Sequence, residues 1–432
     1  MREKLIFVPF LITFTACGTS TTSDEGASPD ANADAPSGGA GGGNTGGSGT
    51  GGGGMNGGGS AGASSDARSD VTPTDGSNDG GPCVPVADHV VSDAAGASSH
   101  PAIAWNGSGY AIAFPDDRSG TLQIHLAFLD ARGNKMGTDL PISMGARAAG
   151  LPDLVYDGSG YGLSYTTETP APPVIHFARL SPAGAVVGNV LDVGDGAGIH
   201  SLVWSGTQYG LAYGSGRNAG FGSDIYFARI GSTAALIGTE LRVTDDPGSE
   251  FIPMAGWNET NYGMVFLHGA VEGGAIGGIY FAAVDANGAE IGNEALIPNA
   301  NGGQARLAAS PTGYAMTWRT TTTGVFTRLD TSGRRTAAVD VMLPNAPSDV
   351  IWSGTRYAAA WSLPTDSGAG GEVFLQTYPA ADGSPGSAVM VSSGAVAEVN
   401  AISIASNTSG FGVAWADSRA TPAEIHFAAV CP

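Results

Sequence analysis

Cysteine is scarce in this chain: 432 residues hold three, at positions 17, 83 and 431, so at most one disulfide can form within it. Positive charge is scarce too. There are 18 Lys and Arg against 39 Asp and Glu, a formal net charge of −21 and a sequence pI near 4.4. A protein with this balance has no basic stripe for nucleic acid and no polybasic patch for anionic lipid. The apolar stretch from Leu5 to Phe14 falls short of the roughly 20 residues that cross a bilayer as a helix. Catalytic signatures are missing as well: no G-x-S-x-G, no H-E-x-x-H, no G-x-x-x-x-G-K-[ST], and the glycine runs have no strand-to-helix setting in which to hold phosphate.

What the chain does have begins with a targeting segment. Arg2 and Lys4 precede the apolar stretch, and "FTAC" puts small Thr15 and Ala16 before Cys17. This resembles the lipobox of bacterial lipoproteins. The resemblance implies that residues 1–16 are a signal peptide and that Cys17 carries lipid as the mature N-terminus, several acyl chains anchoring far better than one. It also implies an extracytoplasmic address at the outer membrane or cell surface of a Gram-negative bacterium. Residues 17–82 follow as a Gly- and Ser-rich segment that cannot bury apolar surface. As a flexible tether of about 65 residues it spans roughly 45 Å.

Residues 83–432 repeat. The phrases "WNGSGYAIAF" at 105, "YDGSGYGLSY" at 156, "WSGTQYGLAY" at 204, "WNETNYGMVF" at 257, "ASPTGYAMTW" at 309, "WSGTRYAAAW" at 352 and "SNTSGFGVAW" at 406 are seven copies with a period near 50. A second phrase follows each, as in "IHLAFLDARG" at 124 and "IHFARLSPAG" at 175. Asn-Gly-Ser-Gly supplies the positive-φ positions of a tight hairpin, and aromatics alternate with small and β-branched residues as in half-buried strands. Each unit therefore predicts four short strands, in the first unit Ala102 to Trp105, Tyr110 to Phe114, Gln123 to Leu129 and Asp139 to Ser143. Seven four-stranded units at this period resemble the blades of a β-propeller. The expected fold is all-β, a seven-bladed propeller, of the kind carried by uncharacterised surface lipoproteins.

The last unit ends at "EIHFAAVCP" with no fourth strand, whereas "CVPVADHVVSDAAGASSHP" before the first unit matches the fourth-strand phrases. An N-terminal strand at Asp88 to Ser92 is thus expected to complete the last blade and leave no open edge. Cys83 and Cys431 then flank the junction where other blades have a hairpin turn, and a disulfide between them is expected in an oxidising compartment.

Candidate functional residues lie in the loops after the second and fourth strands, which topology places on one face. "FPDDRSGTLQI" and "WADSRATPAEI" align without a gap, pairing Asp116 with Asp417 and Arg118 with Arg419 in neighbouring blades. Two readings stay open: a patch whose arginine forks hold a carboxylate- or hydroxyl-bearing ligand, and, favoured for a pair repeated in an array, a brace inside each loop. Arg217 and Glu168 extend the possible rim. His268 reads as isolated. His125, His176 and His426 share one strand position and read as packing residues, while His100 and His200 precede inner strands near the central channel. No metal or cofactor is expected. The leading functional reading is a non-enzymatic, membrane-anchored binder of a glycan, peptide or protein partner. The alternatives are a carbohydrate-active hydrolase or lyase acting in the channel and a structural module of an envelope complex.

Overall fold

The structure, a computed structural model, describes residues 85–431 apart from 94–95, 144–148, 168–172, 197, 218–221, 246–247, 270–275, 322, 337–339, 346, 365–370, 381–382, 393–401, 408 and 420. The lipobox cysteine Cys17, the tether, Cys83 and Glu168 lie outside the described residues.

Strand β1 (Val86–Val90) precedes the first complete blade, β2 (Ala102–Trp105), β3 (Gly109–Asp116), β4 (Gln123–Asp130) and β5 (Leu140–Pro141). The second holds β6 (Ala149–Tyr156), β7 (Tyr161–Thr167), β8 (Val174–Leu180) and β9 (Leu191–Asp195), and the third β10 (His200–Trp204), β11 (Tyr209–Ser215), β12 (Asp224–Ile230) and β13 (Leu241–Arg242). The fourth is β14 (Ser249–Trp257), β15 (Asn261–Gly269), β16 (Ile276–Asp285) and β17 (Ala295–Leu296); the fifth is β18 (Gly303–Ser310), β19 (Gly313–Arg319), β20 (Gly324–Leu329) and β21 (Val341–Leu343). The sixth is β22 (Pro347–Trp352), β23 (Arg356–Pro364), β24 (Gly371–Pro379) and β25 (Val389–Met390), and the seventh has β26 (Ile402–Ser406), β27 (Phe411–Asp417) and β28 (Glu424–Val430).

Each blade is a four-stranded antiparallel meander, and the seventh is completed from the N-terminus in the order β1-β28-β27-β26. The inner strands meet in sequence round a ring that closes where β2 meets β26. The expected fold is therefore the observed one. The closing strand starts two residues earlier than expected: Val86 pairs with Ala429 and Val90 with His426. Val91 N–H still bonds Ile425 O at 2.8 Å, and Ser92 ends the strand by accepting Ile425 N–H on its Oγ at 3.0 Å. Ser143 does the same to Ile124 at 2.8 Å in the first blade, where β5 is shorter than expected, as the outer strands of the third, fourth and sixth blades also are.

The repeated phrase explains how blades stack. Asn106 Oδ1 caps its turn by accepting Ser108 and Gly109 N–H at 2.9 and 2.8 Å, round Gly107 at φ 93°. Its Nδ2 then donates to the hydroxyl of Tyr161 in the next blade at 2.8 Å. Asn407 treats Tyr110 in the same way at 2.7 Å, joining the last blade to the first. The tyrosine ring lies so flat on the preceding blade that a Cβ at Gly162 would come within 2.4 Å of the Tyr209 ring, and one at Gly412 within 2.4 Å of the Tyr110 ring. "Tyr-Gly" recurs because the glycine is the floor for its neighbour's ring.

Candidate functional site

Ladder register makes corresponding positions comparable between blades. Phe114 faces His125, Tyr165 faces His176, Tyr213 faces Tyr226 and Trp415 faces His426. The rings of each pair stack, with centroids 6.2, 5.0, 5.9 and 5.8 Å apart respectively. The three histidines are thus packing residues of their own blades. Among the described residues no group of three or more His, Cys, Asp or Glu side chains is arranged to hold a metal ion.

Arginines of the adjoining loops lie next to these strands. Arg118 grips Asp116 through Nε at 2.7 Å and Nη2 at 3.0 Å, and reaches Asp139 at the start of the outer strand at 3.0 Å. Lys135 closes on Asp139 at 2.7 Å and on Asp93 at 2.5 Å. Arg419 binds Asp417 through Nε at 2.6 Å and Asp88 at 2.8 Å, and Asp88 stands where the first blade has Asp139. Arg217 pairs with Glu240, again at that position, and its guanidinium carbon lies 3.8 Å from the centre of the Tyr226 ring. Each arginine therefore clamps its loop to the outer strand of its own blade.

Burial opposes ionisation of Asp116, but hydrogen bonds from Arg118 and Ser98 hold its carboxyl below the ordinary carboxylate range. Asp116 raises the Arg118 pKa in turn. Asp116 and Asp417 are buried behind the arginines, whose side chains stay 18 % exposed at Arg118, 28 % at Arg217 and 30 % at Arg419. Ser98 links the two aligned loops: its Oγ donates to Asp116 at 2.7 Å, and its N–H bonds Ala423 O at 2.9 Å. His268 is not isolated, because its Nδ1 sits 2.8 Å from buried Glu250 and its ring packs on Tyr280. His200 is buried at the start of an inner strand, where desolvation lowers its pKa to about 4.

A second polar set was not foreseen. One inner-strand position, three residues before the partner of the post-turn aromatic, is Ala102, Asp153, Ser201, Met254, Arg306, Asp349 and Ser403 in successive blades. These side chains tie inner strands that share no ladder. Asp153 Oδ2 accepts Leu202 N–H at 2.7 Å, Ser201 accepts Ala255 N–H at 3.1 Å, Asp349 accepts Ile404 N–H at 2.8 Å, and Ser403 accepts Ile103 N–H at 3.4 Å. Arg306 Nε donates to Ser348 O at 2.8 Å. Burial pushes Asp153 up to about 6 and Asp349 to about 7; the bonded amides act against this, as does Arg306 at Asp349. With five residue types among seven copies, the position carries no constant letter for a sequence reader to find.

The fold and this ring of braces define a seven-bladed β-propeller. No protein-family model matches the chain, and no curated protein matches it. Solved structures of similar fold include the Dos1 propeller, with 11% identity and a TM-score of 0.43 over 80% of this chain and 94% of that one. An α-L-arabinofuranosidase of Fusarium graminearum has 11% identity and a TM-score of 0.48 over 81% and 98%. The acylaminoacyl peptidase of Pyrococcus horikoshii has 11% identity and a TM-score of 0.43 over 77% of this chain and 51% of its own. At these identities and scores no activity transfers.

Proposed function

We propose that the chain is an extracytoplasmic lipoprotein, held by lipid on Cys17 at the outer membrane or cell surface, whose propeller presents its loop-rich face to a glycan, peptide or protein partner without catalysis. The observation that carries the non-enzymatic reading is the state of the two channel carboxylates. Their raised pKa values are of the kind that catalysis exploits. Yet Asp153 Oδ1 also accepts Leu154 N–H at 2.9 Å and Asp349 Oδ1 accepts Val350 N–H at 2.8 Å, so in both residues each oxygen is already engaged by backbone. A general acid must instead reach its substrate.

On the loop-rich face, Arg118, Arg217 and Arg419 offer the partner their exposed guanidinium edges, with Asp116 and Asp417 setting their position. A Cys83 to Cys431 disulfide closes the domain; it is supported by Val86 pairing with Ala429, two residues from Cys431. Mass spectrometry of the mature protein should find acylated Cys17 and no free thiol. Glycan-array and pull-down screens with the Cys17→Ala chain should then return a partner that Arg118→Ala and Arg419→Ala weaken. Polysaccharide cleavage abolished by Asp153→Asn or Asp349→Asn would replace this reading with the hydrolase or lyase.

A further inference from the structure

The second blade departs from the clamp that its neighbours keep. In the first, third and seventh blades an arginine four residues after the strand-two aromatic meets an acid two residues before the outer-strand partner of the stacked ring: Arg118 with Asp139, Arg217 with Glu240 and Arg419 with Asp88. The second blade has Thr169 and Val190 at those two sequence positions. Its stacked ring pair, Tyr165 and His176, instead lines a groove. This groove of about 870 Å3 runs between the outer strand of the first blade and the second blade, and its walls include Leu140, Ile142, Val186 and Val190. That volume lies within the range of small-ligand sites.

The polar end of the groove is His176 and Asp192. His176 stacks on Tyr165 at 5.0 Å, receives or gives a hydrogen bond with Thr167 Oγ1 at 2.8 Å through Nε2, and meets Asp192 Oδ1 at 2.7 Å through Nδ1. Asp192 is paired to His176 in the β8 to β9 ladder, and its side chain is 75 % exposed. Two of the three elements that hold Arg217 in the next blade, a stacked ring and a carboxylate, are therefore present beside apolar walls. The arginine is the missing one.

We infer that this groove binds a guanidinium supplied from outside, as an arginine side chain flanked by aliphatic residues in a peptide partner. The guanidinium lies over the His176 and Tyr165 stack and forms charge-assisted bonds to the outer oxygen of Asp192. The flanking aliphatic groups bury themselves against Leu140, Ile142, Val186 and Val190. The groove occupies the second blade's counterpart of the arginine clamps, but its binding of a guanidinium does not rest on the lipid anchor or on a partner for Arg118 and Arg419.

The test is calorimetric titration of the full chain carrying Cys17→Ala with acetyl-Val-Arg-Val-amide, and with the same peptide holding citrulline, which keeps the shape and loses the charge. Saturable binding is expected for the arginine peptide, weakened about tenfold or more by citrulline and to a similar extent by Asp192→Asn. Asp192 is exposed, so that variant should keep the wild-type melting curve. No binding at millimolar peptide, equal binding of the citrulline peptide, or indifference to Asp192→Asn would each overturn the inference.

Discussion

Two seams of the ring differ in what the post-turn aromatic offers the turn before it. Between the second and third blades, the Tyr209 hydroxyl donates to Asp157 Oδ2 at 2.6 Å, and the ring packs on Gly162 with no room for a Cβ. Burial works against ionisation of Asp157, but bonds from Tyr209, Ser159 and Arg179 hold its carboxyl below the usual range. Between the sixth and seventh blades the corresponding ring is Phe411, which has no hydroxyl to offer the Ser353 turn. A small cavity of about 100 Å3 lies there, lined by Ser353, Arg356, Asn407 and Phe411 among others. The contrast separates two functions of the post-turn aromatic: burial of the ring, which Tyr209 and Phe411 share, and a hydroxyl bond to the preceding turn, which only the tyrosine can make.

The blade beside the weaker seam is also the one assembled from both ends of the domain, so the largest expected effect comes from cutting its closure. With the proposed Cys83 to Cys431 bond in place, Cys431→Ala should lower stability by about 2–5 kcal/mol, the usual result of losing a disulfide. Thermal unfolding of wild type with and without reductant checks this, because identical curves for wild type, reduced wild type and variant would show that the strand pairing of β1 with β28 suffices alone.

The sixth-to-seventh seam has its own inner brace, Asp349 bonded to Ile404, and that brace is sensitive to pH. Burial pushes the folded Asp349 carboxyl up to about 7, against 3.8 for a free aspartate. The folded state thus holds a proton that the unfolded chain has already released, and the carboxylate's destabilising effect is absent below pH about 4, grows through the interval and is complete above pH about 7. Asp349→Asn stays neutral throughout. Its stability relative to wild type should therefore improve as pH is raised from 5 to 8, and denaturant unfolding at both values checks the sign. A constant difference would mean that Arg306, which faces Asp349 in the channel, keeps the carboxylate ionised across the range.

Tyr209→Phe converts the second-to-third seam into a likeness of the sixth-to-seventh. It leaves Asp157 without its hydroxyl donor, and a lost bond to a buried charged group costs about 1.5–3 kcal/mol. Chemical denaturation of the variant should place it clearly below wild type. A smaller loss would show that Arg179, whose Nη2 lies 3.0 Å from Asp157, compensates.

These seams also mark what could be read in advance. The hairpin phrase fixes the blade count because Asn or Asp, Gly and an aromatic each meet a local demand that recurs every blade. The seventh blade's borrowed strand was visible as a fourth-strand pattern without an owner. Side-chain partners were less visible. Asp116 and Arg118 are two positions apart in sequence, yet Asp139, the acid that completes their clamp, is set by ladder register 21 residues beyond Arg118. The channel braces were hidden more deeply, since Asp153, Ser201, Arg306 and Ser403 perform one task with unlike chemistry. His268 looked isolated because Glu250, its partner, sits on the neighbouring strand of the same blade.

The smallest effect is the reverse substitution, Phe411→Tyr. Phe411 is 2 % exposed, so an added atom would clash in most cores. Here the cavity on the Ser353 side exceeds the few tens of Å3 that a hydroxyl or a water needs. In the preceding seam the Tyr357 hydroxyl reaches Ser310 Oγ at 2.7 Å, and Ser353 is the corresponding turn residue of the sixth blade. Its Oγ already donates to Arg356 O at 2.9 Å, leaving an acceptor lone pair for the new hydroxyl. The variant should gain about 0.5–1.5 kcal/mol, the net contribution of one neutral hydrogen bond, and its melting temperature should rise. A fall instead would show that the Phe411 ring is held too far from the Ser353 turn, and that stacking and hydroxyl bonding are alternatives at this seam rather than parts of one device.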